Sequence, residues 1–119
     1  MSTRAARGAI RVASDDRDAL LSSTERLLSN LLGRNGIETE DLVSILFTVT
    51  DDLRAAFPAE AARGMGLGKV PLLCAREIDV PGAMPGVVRV LMHFRSDASL
   101  EDVVHVYLDG AESLRDDLA

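Results

Sequence analysis

The chain has 119 residues, 47% of them hydrophobic and 27% charged, which is the composition of one globular domain over residues 1–119 and excludes a disordered tail or a fibrous repeat. Thirteen basic and 19 acidic residues leave a net charge of −6, and the only aromatics are Phe47, Phe57, Phe94 and Tyr107, so both a phosphate-binding footprint and a base-stacking platform are missing and no nucleic acid partner is expected. The lone Cys74 cannot form an internal disulfide, no apolar secretory run opens the chain, and uncharged stretches such as Leu42 to Thr50 are too short to span a membrane, so a cytoplasmic protein with no membrane partner is expected.

The segment Arg4 to Ala13 alternates loosely, with Arg7, Ala9 and Arg11 on one face and Ala6, Gly8, Ile10 and Val12 on the other, and reads as a strand. Ser14 and Asp15 then offer N-caps to a long amphipathic helix in which Leu20, Thr24, Leu27, Leu28 and Leu31 recur at helical spacing. Gly36 suits the left-handed residue that closes it. Leu42 to Thr50 is a nearly continuous apolar strand, expected at the centre of a sheet. Pro58 opens a short helix through Arg63, and the glycines from Gly64 to Gly68 predict a mobile loop. Val70 to Arg76 and Val87 to Phe94 are further strands, separated by the turn-forming residues Pro81-Gly82 and Pro85-Gly86. Ser99 with Asp102 suggests a capped turn, His105 to Gly110 a fifth short strand, and Leu114 and Arg115 fall in a last helical turn.

Five strands and one substantial helix make an α+β domain with a mixed five-stranded sheet, the long helix and the short helical turns lying on one face. The other face then needs cover, which predicts oligomerisation. A chain of this size also has little interior for a deep private pocket, and a site shared between subunits solves that problem.

Arg89 and His93 alternate with Val88, Val90, Met92 and Phe94, so an arginine sits within an otherwise apolar strand and requires an anionic or hydrogen-bonding partner. Glu77 or Asp79 at a neighbouring strand end supplies one as a structural ion pair; alternatively Arg89 is an anion clamp, with Arg7 in the same situation on the first strand. Cys74 and Glu77 are three apart, which does not place them on one face of a regular strand, and neither His93 nor His105 is tied by spacing to Cys74 as a base to a nucleophile. The Cys and His positions match no zinc pattern and no phosphate-binding glycine loop joins a strand to a helix, so no metal and no cofactor are expected.

Taken in order, RGAIRV from Arg7, DLRAAFPAEAAR from Asp52, VPLLCAREIDVPG from Val70, VVRVLMHF from Val87 and HVYLDGAESLRDDL from His105 resemble the AroH-type monofunctional chorismate mutases over nearly the whole chain. The resemblance implies a homotrimer whose sheets pack into a pseudo-α/β-barrel, with sites between subunits that isomerise chorismate to prephenate without a cofactor. It implies further that Arg89 serves the breaking ether oxygen, that Arg7 and Tyr107 serve a substrate carboxylate, and that Glu77, with Cys74 beside it, accepts from the ring hydroxyl. Phe57, Ala59, Leu73 and Leu114 would line the cleft, and Arg63 and Arg115 would stand at its mouth. Glu60 departs from the pattern, since a familiar member carries a basic residue there. Two other readings remain: a trimeric small-ligand-binding protein that has lost turnover, and an imine deaminase of the YjgF type with a similar trimer but different motifs.

Overall fold

The computed structural model describes residues 1–118, with side chains described through Leu114. The long helix runs over Arg17–Asn35 (α1) and buries Leu20, Thr24, Leu27, Leu28 and Leu31, the same five residues whose spacing predicts its inner face. Burial of each leucine contributes about 2 kcal/mol. The Thr24 hydroxyl, inside the core, donates to the Leu20 carbonyl at 2.7 Å. The N-cap is Asp16, not Ser14 or Asp15: its carboxylate accepts from the Ala19 N–H, which with the Ser14 hydroxyl holds its pKa below the usual carboxylate value. Asp15 instead accepts from the main-chain N–H groups of Arg54 and Ala55, at 2.8 and 3.0 Å. Gly36 closes the helix in the left-handed conformation, as its position predicts.

The strands are β1 (Ser2–Arg11), β2 (Leu42–Val49), β3 (Leu72–Arg76), β4 (Val87–Ser96) and β5 (Val106–Leu108), in the sheet order β3-β2-β4-β1-β5. The sheet is mixed: β4 lies antiparallel between β1 and β2, while β3 and β5 add parallel edges. Thus β2 is an interior strand, but the middle place belongs to β4, which pairs along its whole length with β1 and from Val88 to Phe94 with β2. A register shift between Leu42 and Ser44 interrupts the alternation of β2 and leaves Val43 exposed.

One face of the sheet, carrying Ile10, Ile45, Phe47, Val88, Val90, Met92 and Phe94, packs under α1 in the main core. A second short helix, α2 (Ala59–Gly64), adds Ala59 and Ala62 to this core. The glycine-rich segment after α2 is stitched by hydrogen bonds from Gly66 to Arg63, Leu67 to Ala62 and Val70 to Leu67, with Leu67 buried. The closing 3-10 helix, Ala111–Leu118, departs from the expectation that all helical turns share one face. Its Ala111 is buried against Ala9 and Val87, which alternate to the side opposite α1, and Leu114 packs on the same small cluster. Asp109 and Gly110, both at positive φ, provide the sharp turn that carries the chain there. No helix among the described residues is long and apolar enough to cross a membrane.

Two local features set the position of β4. The Val12 N–H donates to the Gly86 carbonyl at 2.7 Å, and the Asp52 carboxylate accepts from the Gly86 N–H at 3.2 Å, so the ends of β1 and β2 converge on the residue before β4. Gly8 permits the close approach of β1 to α1, since a Cβ there would lie 2.9 Å from Leu31 Cδ1, 3.0 Å from Leu27 Cδ1 and 3.3 Å from the Val106 carbonyl oxygen.

Gly8→Ala is therefore expected to lose about 1–3 kcal/mol of stability by overpacking, because both leucines are fully buried and the Val106 carbonyl oxygen is a fixed third neighbour; urea unfolding at fixed protein concentration measures this. The hydrogen bonds to Asp52, chiefly from Thr50, hold its carboxyl pKa below the ordinary value against an opposing effect of burial. A depressed folded-state pKa gives stability that is present above the unfolded pKa and lost as pH falls through the folded one. Asp52→Asn is thus expected to be less stable than wild type near neutrality, with the gap narrowing below about pH 4. A gap that stays constant with pH would refute this role for the Asp52 charge.

Candidate active site

The sheet face turned away from α1 gathers the residues that alternation separates from the core. Arg89 pairs in register with Thr48 on β2 and Ala9 on β1, Leu91 pairs with Leu46 and Arg7, and Ala9 pairs with Tyr107. A cavity of about 300 Å³ opens there, lined by Arg7, Leu46, Thr48, Glu77, Arg89 and Tyr107 among others. It is an apolar floor with two guanidinium groups, a phenol and one carboxylate on its walls.

Glu77 lies just past the end of β3, where its N–H continues the sheet pairing to the Val49 carbonyl at 2.8 Å. Its Oε2 accepts from the Thr48 hydroxyl at 2.5 Å and stands 3.7 Å from Arg89 Nε. That separation gives an electrostatic pair but is too long for a hydrogen bond. Arg89 Nε is shielded from solvent and has no acceptor among the described residues, although the side chain as a whole is 42% accessible. A shielded donor without a partner costs about 1–3 kcal/mol. Glu77 is thus the ion-pair partner that the sequence allowed for Arg89, and the pair still leaves donor capacity unused. Thr48 sets the carboxylate, a role that local sequence pattern does not reveal because the contact depends on the register between β2 and β3.

Arg89 and Glu77 also border a second cavity of about 470 Å³, whose walls include Asp51, Asp52 and Asp79. The two spaces differ in charge. An anionic ligand is drawn to the side of Arg7 and Tyr107 and repelled by the side of the aspartates.

The remaining candidates lie outside that cavity. Phe57, Cys74 and Glu60 line a third cavity of about 670 Å³ with Arg17, Arg54 and Arg76. Cys74 pairs with Phe47 and packs against the core under α1, so the single chain does not bring it together with Glu77. His93 faces the opposite side of the sheet with the Ser44 hydroxyl 3.1 Å from Nδ1, which leaves Cys74 without a histidine base on its own face. Phe57 and Leu73 are largely exposed, Ala59 is buried, Arg63 is exposed at the end of α2, and Leu114 is half-buried on the small cluster. The Arg115 side chain lies outside the described residues. Glu60, which removes a cation in the sequence reading, accepts from Arg17 Nη1 at 2.6 Å, so its charge is answered locally by a residue at the start of α1.

Comparison with known proteins identifies the family. The chain is 50% identical to a chorismate mutase AroH of Thermus thermophilus over 116 residues, covering 97% of this chain and 95% of the relative. It is 38% identical to chorismate mutase AroH of Bacillus subtilis (strain 168) over 120 residues, covering 100% and 94%. The solved chorismate mutase from Clostridium thermocellum superposes with a TM-score of 0.90 at 47% identity, covering 92% of this chain and 97% of that one. Residues 3–118 match the profile described as Chorismate mutase type I, and the chain belongs to that AroH-type chorismate mutase family.

Proposed function

We propose that the protein isomerises chorismate to prephenate, as a cytoplasmic homotrimer in which the cleft of one chain is completed by a neighbour. The observation that carries the mechanism is Arg89: a guanidinium on an apolar sheet face, with its carboxylate partner held by Thr48 and its Nε left without an acceptor among the described residues. The reaction is an intramolecular rearrangement of the Claisen type. An ether C–O bond breaks as a C–C bond forms, no atom leaves, and no proton transfer is required.

Negative charge grows on the ether oxygen as its bond to the ring lengthens. A fixed donor aimed at that oxygen in a water-poor cleft stabilises the transition state more than the ground state. Arg89 takes that role in this reading. Arg7 and Tyr107 share its cavity and provide donors for a substrate carboxylate, while Glu77 accepts from the ring hydroxyl. The apolar floor at Leu46 and Leu91 favours the compact conformer in which the reacting carbons meet, lowering the entropy still to be lost.

Exposed Phe57, Leu73, Ile78 and Val80 support the subunit contact, since large apolar side chains clustered near an edge strand are stabilised by cover. In the trimer we assign Phe57, Ala59, Leu73, Cys74 and Leu114 to the walls of the shared cleft, and Arg63 and Arg115 to its mouth.

Chorismate consumption, followed by its absorbance with prephenate identified by acid conversion to phenylpyruvate, tests the proposal. Wild type is expected to turn over. Arg89→Ala is expected to lose about two to three orders of magnitude in kcat, the scale of a deleted oxyanion donor. Arg89→Lys is expected to be nearly as impaired, because an ammonium cannot reproduce the forked guanidinium. A folded wild type that binds chorismate without converting it would instead establish a ligand-binding protein of this fold. KM should also rise with salt, since the arginines act on a dianion within a Debye length of about 8 Å; a KM independent of salt would contradict charge-guided binding.

A further inference from the structure

The Arg7 main-chain N–H donates to Nδ1 of His105 at 2.9 Å. Strand β5 begins only at Val106 and first pairs with β1 at Gly8, so the imidazole takes the place of the peptide acceptor that a longer β5 would present to Arg7. His105 is itself held in register. Asn35, the last residue of α1, accepts from the Val104 N–H through Oδ1 at 2.8 Å and donates to the Val104 carbonyl through Nδ2 at 2.9 Å. Val103 and Val106, on either side, are buried, and the missing side chain at Gly8 lets β1 come close to Val106.

We infer that His105 is a positioning residue for the rearrangement: its unprotonated Nδ1 fixes the main chain of Arg7 and thereby the reach of the Arg7 guanidinium into the cleft. This rests on the proposed role of Arg7 toward a substrate carboxylate. The relay runs from the last residue of α1, Asn35, through Val104 and His105, which lead into β5, to Arg7 on β1. A guanidinium at the end of a long side chain gains precision from such an anchor, because a small shift at Cα is amplified at its tip.

The test compares His105→Asn, His105→Gln and His105→Ala in the full chain. Asn Oδ1 lies two bonds beyond Cβ, as His Nδ1 does, whereas Gln places its acceptor one bond further out. His105→Ala and His105→Gln are expected to lose about tenfold in kcat/KM, mainly through KM, the scale of one lost hydrogen bond. His105→Asn is expected to recover most of that loss. In parallel, a nitrogen–nitrogen coupling through the hydrogen bond between Arg7 N and His105 Nδ1, read by NMR on isotopically labelled wild type, reports the contact without reference to substrate. An active wild type that lacks this coupling, or an Asn variant as impaired as the Ala variant at equal thermal stability, overturns the positioning role alone. A wild type that shows the coupling but does not turn over chorismate overturns the mutase reading and the role built on it.

Discussion

A guanidinium in the middle of a central strand is the constraint around which this molecule is arranged. Arg89 cannot share the face of β4 that packs under α1, because a charge in that core would be stabilised only by a full set of partners. Alternation turns it to the other face, which keeps a cleft because α1 and α2 both lie on the first and the closing 3-10 helix packs on the second at Ala9 and Val87. Glu77, set by Thr48, answers the charge without saturating it. The site is thus a region where the chain stops short of satisfying its own polar groups, which is what preorganised binding of an anion requires.

The same arrangement explains how an acidic protein can take a dianionic substrate. The net charge of −6 acts at long range and is screened, while in the proposed mechanism Arg7 and Arg89, which line one cavity, act at contact distance. Acidic groups near the cleft are held in defined places: Asp52 is engaged with Gly86, Asp51 accepts from Arg76, and Glu60 is paired with Arg17. The Arg17–Glu60 pair is partly exposed and contributes little to stability. Its consequence is electrostatic, since it keeps a carboxylate beside Phe57 from standing unanswered at the wall of a cavity.

Much of this was legible in the sequence where periodicity governs. The five buried positions of α1, the left-handed Gly36 and the two faces of β4 follow from spacing alone, because local geometry decides them. The N-cap moved from Ser14 or Asp15 to Asp16, because several adjacent polar residues can cap and tertiary contacts choose among them: Asp15 is held by Arg54 and Ala55. The far-side packing of Ala111–Leu118 was not legible, since it depends on a positive-φ turn at Asp109 that only the folded chain reveals. Thr48 and His105 were missed for a related reason. Their contacts with Glu77 and Arg7 join segments 29 and 98 residues apart, and a register between distant strands leaves no trace in local pattern.

The most direct measurement of the central claim is the Nε–H resonance of Arg89, followed by NMR as prephenate is added to saturation. The account predicts a marked shift and slowed exchange at that proton as its missing acceptor arrives. An Arg89 Nε–H unchanged at saturating prephenate, while neighbouring cleft residues respond, would contradict it.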